Sequence, residues 1–199
     1  MAHSDFTFQK LKKEYGIEQE SSNLFASNLV GEITPSARLL QDMEDAKLIS
    51  LYSAKAKSEA IIFPIFREMK IRNPHISVFS GYALNLEGHK ELSSVPDFMI
   101  SAKPRIVELE KPIFCLFESK NKEPNEVFAQ CAAEMYAARL FNQENNENIE
   151  TIYGAVTSAY NWVFLKLEGN TILIDKERYF LNNLPKILGI FQYVINQYK

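Results

Sequence analysis

The chain has 199 residues, 46% of them hydrophobic, and 25 acids against 22 lysines and arginines give a net charge of −3. That is enough apolar material for one compact domain with a real core, and too little positive charge to coat nucleic acid through bulk charge. A polyanion would have to be met by a local patch or a metal.

Cys115 and Cys131 have neither CxxC nor zinc-finger spacing, and read as small core residues of a reducing compartment. The first twenty residues are charged and lack the apolar run of a signal peptide, and no later stretch approaches bilayer length. A cytoplasmic protein with no membrane partner is the expectation.

Taken in order, residues 5–15 carry Phe6, Phe8, Leu11 and Tyr15 among lysines, with Gly16 as a stop, which predicts a short amphipathic helix. Residues 21–32 are mixed and read as irregular. Thr34, Pro35 and Ser36 then open a helix, with proline tolerated in its first turn and an apolar face of Leu39, Leu40, Met43 and 46–48. Residues 54–70 form the next helix, where Ala56, Glu59, Ile62, Phe63 and Phe66 share one face. Glu59 is thus expected to point inward, where a carboxylate needs a partner or a cation. The alternative is a surface glutamate on a stripe that begins one turn later or is shifted at Pro64.

Residues 75–86 and 91–101 predict a strand pair joined by the polar cluster 87–90. His75 and His89 read as ordinary strand-end or loop histidines. The run 113–117 is apolar without alternation, the mark of a strand covered on both faces, and it ends abruptly at Glu118, Ser119 and Lys120. Strand alternation sets Glu118 and Lys120 on one face and Ser119 on the other. Asn125 could cap a helix running to about residue 141, with Val127, Phe128, Cys131, Met135 and Ala138 buried and Gln130 at the margin. By periodicity alone Gln130 is as much a solvated polar edge as a functional group. Residues 142–148 read as a loop. Strands follow at 152–157, 162–167 and 171–174, with Tyr160 and Trp162 as core or sheet-edge aromatics, and a closing helix occupies about 180–198.

If the strand carrying Asp97 pairs with 113–119, Asp97 lies beside Glu118. Two carboxylates and a lysine at the tips of buried strands make a hard-cation site, since Mg²⁺ takes oxygen ligands and keeps waters that substrate phosphates replace. Pro96-Asp97, a spacer, and Glu118-Ser119-Lys120 together resemble the signature of the PD-(D/E)xK nuclease superfamily, with its restriction-endonuclease-like fold. The resemblance covers residues 50–175. It extends to a glutamate on the helix before the first core strand, Glu59, and a glutamine on the helix after the Glu-x-Lys strand, Gln130.

The resemblance implies an α/β fold with a mixed central sheet flanked by helices, and one domain over 1–199: an N-terminal helical extension at 1–50, a core at 51–175 and the closing helix. It implies metal-dependent hydrolysis of phosphodiester bonds in nucleic acid, DNA foremost. Asp97 and Glu118 would hold Mg²⁺, for which Mn²⁺ can substitute, helped by the backbone carbonyl of Ser119. Lys120, kept charged by its acidic neighbours, would orient water or stabilise developing negative charge. Glu59 would join the metal shell and Gln130 would position substrate. Lys103, Arg105, Lys111 and Lys122 are candidates for phosphate contacts, which position without reading sequence. No helix-turn-helix or zinc finger supplies base reading, so specificity would come from loops, a homodimer or a protein partner. Two other readings stay open. One is a catalytically inactive protein of the same fold that binds nucleic acid or a protein; the other is an unrelated α/β domain in which these charges form strand-end ion pairs.

Overall fold

The computed structural model describes residues 6–26, 28–102, 113–119 and 124–198, with backbone alone for 113–119 and 124–126. Its elements in chain order are α1 (Phe8–Tyr15), β1 (Glu18–Ser22), α2 (Ala37–Ala46), α3 (Ala54–Lys57), a π-helical turn (Ser58–Ile62), α4 (Phe63–Arg72), β2 (Ser77–Ser80), a 3₁₀ turn (Lys90–Leu92) and β3 (Phe98–Ser101). They continue with β4 (Ile113–Ser119), α5 (Pro124–Glu144), β5 (Ile152–Thr157), β6 (Asn161–Glu168), β7 (Thr171–Asp175), β8 (Tyr179–Phe180), a 3₁₀ turn (Leu181–Asn183) and α6 (Leu184–Asn196). One mixed sheet of eight strands runs β1-β7-β6-β5-β4-β3-β2, with β8 paired to β6. The fold is mixed α/β, its sheet flanked by helices.

Local chemistry sets the helix starts. Thr7 accepts from the Lys10 amide, Ser36 from Leu39 and Ser53 from Ala56, each satisfying a donor that a helix start leaves open. Pro35 therefore lies before the Ser36 cap and not in the first turn. Gly16 ends α1 at φ 67°, the left-handed conformation that glycine adopts without penalty.

β2, β3 and β4 form an antiparallel meander, α5 crosses over, and β5 returns parallel to β4. One face of the sheet is covered by α4 and α6 over an aromatic core: Phe66 stacks against Phe98 at 4.7 Å between ring centres and meets Phe191 edge-on at 5.5 Å. The other face carries α1 and α5 over smaller side chains. There α5 is buried nearly all round, because it is wedged between the sheet and α1 and not laid on a surface. Its close seat needs Gly154: a Cβ on that β5 residue would stand 2.5 Å from Met135 Sδ and 2.9 Å from Cys131 Sγ. Arg139 ties the same helix to the β6–β7 turn, donating to the Gly169 carbonyl and to Asn170 Oδ1.

Several expectations need correction. The N-terminal extension is not wholly helical: β1, inside the stretch read as helix and irregular chain, joins the sheet parallel to β7. The strand expected over 75–86 is Ser77–Ser80 alone. The chain turns out of it at Gly81, φ 61°, and meets its partner again at the Leu84 and Ser94 bridge and where the Leu86 amide donates to Ser93 Oγ at 3.1 Å. The 3₁₀ turn Lys90–Leu92 occupies the start of the stretch expected as the second strand. Helix α5 begins at Pro124, so Asn125 lies within it and is not its cap, and it continues to Glu144 through part of the expected 142–148 loop. Trp162 is buried in the aromatic core as expected, its indole N–H donating to the Ala159 carbonyl at 3.3 Å.

Candidate active site at one end of the sheet

Phe98 is the register residue of the site. It is 2% exposed, packed against Phe66, and pairs with Ser80 on one side and Phe117 on the other. Asp97 precedes it directly. Because β3 and β4 are antiparallel, the next residue on each chain beyond the Phe98 and Phe117 pair is Asp97 on one and Glu118 on the other. The backbones of the two acids are thus neighbours at one end of the sheet. Buried Pro96 fixes the approach to Asp97, and the Gly81 amide donates to the Asp97 carbonyl at 3.0 Å. On its far side Glu118 is in register with Val156 and Ser119 with Thr157, through the parallel β4 and β5 pair.

A helical rod lies across this end. Helix α3, the π-turn and α4 run on without a break, and Pro64 follows the π-turn. A proline within a helix has no N–H to give and its ring crowds the carbonyl one turn back, so the wider turn at Ser58–Ile62 is where the rod accommodates it. The extra residue of that turn rotates the helix face. The buried side is Ile61, Ile62, Ile65, Phe66 and Met69, while Phe63 is 43% exposed. Glu59, expected to point inward with Ile62 and Phe66, instead has 69% of its side chain exposed, with Lys55 Nζ 3.8 Å from its carboxylate. The surface alternative describes its exposure.

Exposure does not take Glu59 away from Asp97. Both line one cavity of about 290 Å³, with Lys55 and Ser58 from the rod and Ser80 and Gly81 from the β2–β3 hairpin. The cavity has two carboxylates described on its wall, and the backbone of a third acid, Glu118, lies beside one of them. Oxygen donors of this kind fit a hard divalent cation and give no place to a soft one. Among the described residues no group of three His, Cys, Asp or Glu side chains is gathered closely enough to hold a metal, and the side chain of Glu118 is outside that set.

Lys120, Lys103, Arg105, Lys111 and Lys122 lie outside the described residues, as does the side chain of Ser119. Gln130 is half-buried in the second turn of α5, and its Nε2 donates to Glu134 Oε1 at 3.3 Å. It does not line the cavity of Glu59 and Asp97 among the described residues. Sequence reasoning missed Ser58, Ser80 and Gly81 as part of this wall. Gly81 was the readable signal, since a glycine inside a strand pattern marks a break in the strand.

Glu68 and Asp175, both buried, have structural roles. Ser36 Oγ donates to Glu68 Oε2 at 2.6 Å, and Arg72 Nε donates to Oε1 at 2.8 Å. Burial alone would raise the Glu68 pKa, but the hydrogen bonds from Ser36 and Arg72 outweigh it and hold the carboxyl below its ordinary value. Asp175 accepts from the Tyr179 hydroxyl at 2.8 Å; burial first, and this bond second, push the phenol upward.

No family model matches the chain, and no curated protein and no solved structure is significantly similar to it. Among the described residues no helix is long and apolar enough to cross a membrane.

Proposed function

We propose that the protein is a metal-dependent nuclease of the PD-(D/E)xK type, hydrolysing phosphodiester bonds of nucleic acid, DNA foremost. One observation carries the reading: Asp97 shares a cavity with Glu59 at the sheet end where the β3 and β4 register brings Asp97 and Glu118 side by side. The element order supports it as well. A helix bearing Glu59 precedes the meander, Glu118 closes its last strand, and a helix bearing Gln130 follows. Those are the positions the sequence resemblance assigns to them.

In this reading Asp97 and Glu118 would hold Mg²⁺ with the Ser119 carbonyl, and Glu59 would contribute to the same metal shell. A bound Mg²⁺ offsets charge on the phosphoryl group and lowers the pKa of a coordinated water. Lys120 orients the attacking water and stabilises negative charge as it develops on the phosphoryl oxygens. Water adds to phosphorus, one ester P–O bond breaks, and a proton passes to the departing oxygen. Gln130, tethered to Glu134, acts on substrate from α5.

The test is cleavage of plasmid, linear duplex, single-stranded DNA and RNA with Mg²⁺ or Mn²⁺, comparing the wild-type chain with identically purified Asp97→Ala and Lys120→Ala. Each substitution is expected to reduce cutting on the order of a hundredfold or more. Cutting that is absent in the wild type, or that survives in both variants, overturns the nuclease reading.

A further inference from the structure

At the same end of the sheet, beyond the acids, lies a second cavity of about 430 Å³ bordered by Tyr52 and Tyr160. Tyr52 is 92% exposed and Tyr160 46%, so neither ring is covered by the fold. Tyr160 is mounted on a rigid turn. Ala159 before it is held at φ 74°, a conformation unfavourable for a residue with a Cβ, and it is locked there by three hydrogen bonds. Its amide donates to Thr157 Oγ1 at 2.9 Å, Thr157 Oγ1 donates to the Asn161 carbonyl at 2.8 Å, and its own carbonyl receives the Trp162 indole.

The charges around the rings are mixed: Lys55 meets Glu59 at 3.8 Å, and Asp42, Glu44, Asp45 and Glu59 flank Lys47, Lys55 and Lys57 in sequence. Lys57 Nζ lies 5.8 Å from the centre of the Tyr160 ring, and Lys47 is paired with Glu44 at 2.6 Å. Two exposed aromatic rings with a lysine over one of them suit the two parts of an unpaired nucleotide, a base with a π-face and an anionic phosphate. A base paired within a duplex keeps its faces stacked on its neighbours and cannot use them. The turn that carries Tyr160 also leaves β5 at Thr157, in register with Ser119, the residue after Glu118.

We infer that Tyr52, Tyr160 and Lys57 form a stacking platform for unpaired bases, so that the nucleic acid bound here is single-stranded or has a single-stranded segment leading to the acids. This rests on the nuclease reading for its connection to cleavage, but binding can be measured apart from it. The probe is a single-stranded oligodeoxynucleotide containing 2-aminopurine, compared with a blunt duplex, in EDTA so that no metal-dependent cutting occurs. Wild type should prefer the single strand and quench the 2-aminopurine by stacking. Tyr52→Leu and Tyr160→Leu should each weaken single-strand binding about tenfold, and Tyr52→Phe and Tyr160→Phe should restore it.

Equal binding of single strand and duplex, unchanged binding by the Leu variants, or no binding at all overturns the platform. So does sedimentation showing a dimer that Tyr52→Leu dissociates, since the same rings would then be a face between copies. Cleavage in Mg²⁺ by chains whose binding ignores both tyrosines would sink the platform and leave the nuclease standing. Tyrosine-dependent binding without cleavage under any metal would do the reverse.

Discussion

Glu59 and Glu68 belong to one helical rod, and their surroundings differ in every respect that decides what a carboxylate does. Glu68 has 6% of its side chain exposed and receives Ser36 and Arg72, so its lone pairs are spent on holding α2 against α4. Glu59 has 69% exposed, meets Lys55 at 3.8 Å and lines a cavity with another acid. The π-turn between α3 and α4 separates these roles, since it turns the rod so that Glu59 lies outside while the residues after it go in. Residue type and helix position alone do not distinguish a structural acid from an available one; the partners do.

The sharpest way to break this contrast is Glu68→Ala. Removing it leaves Arg72 and the Ser36 hydroxyl without their acceptor in a partly buried site, and unfolding by denaturant should show a loss of about 2 kcal/mol. In a chain of this size that lowers the melting temperature by roughly 5 °C. Cleavage per folded molecule should stay near wild type.

Acid sharpens the same contrast. Glu68 is held below its ordinary value of 4.5 by the hydrogen bonds that outweigh its burial. Its stabilisation is therefore complete above that value and is lost as pH falls through the lower folded-state value. Stability measured against pH should fall on that acid limb, and Glu68→Gln should flatten it.

The smallest stability effect belongs to Glu59→Gln. An exposed pair at 3.8 Å contributes little, so the melting curve should move by less than about 0.5 kcal/mol. Metal-dependent cutting should nevertheless fall several-fold. A large loss of stability with normal cutting would reverse the roles assigned to the two glutamates.

Most of the sheet was legible because its strands are apolar and bounded. The run 113–117 does form a strand, β4, which lies between β3 and β5 within the sheet. The neighbourhood of Asp97 and Glu118 was legible in the same way, since it follows from the pairing of two recognisable strands. β1 was not, because its sequence is Glu18, Gln19, Glu20, Ser21 and Ser22, four of them exposed on an edge, and an edge strand with little to bury carries no apolar alternation. The exposure of Glu59 was hidden for a different reason. A regular 3.6-residue count runs through Ser58–Ile62 as though no residue had been inserted, and Glu59 is then assigned to the inward face of Ile62 and Phe66. Glycines at Gly81 and Gly154 marked a turn and a close approach, but which neighbour required each could be seen only in the packing.

The central claim is that Asp97, Glu59 and Glu118 surround one divalent cation. Its most direct test is titration of Mn²⁺ into the ¹⁵N-labelled chain, following paramagnetic loss of amide signals by NMR. Signals of Gly81, Phe98 and Glu59 should disappear first, and Asp97→Asn should preserve them at the same Mn²⁺ concentration. Loss centred elsewhere, for example around Asp175 and Glu177, or loss at Gly81 and Phe98 that Asp97→Asn leaves unchanged, would contradict the assignment.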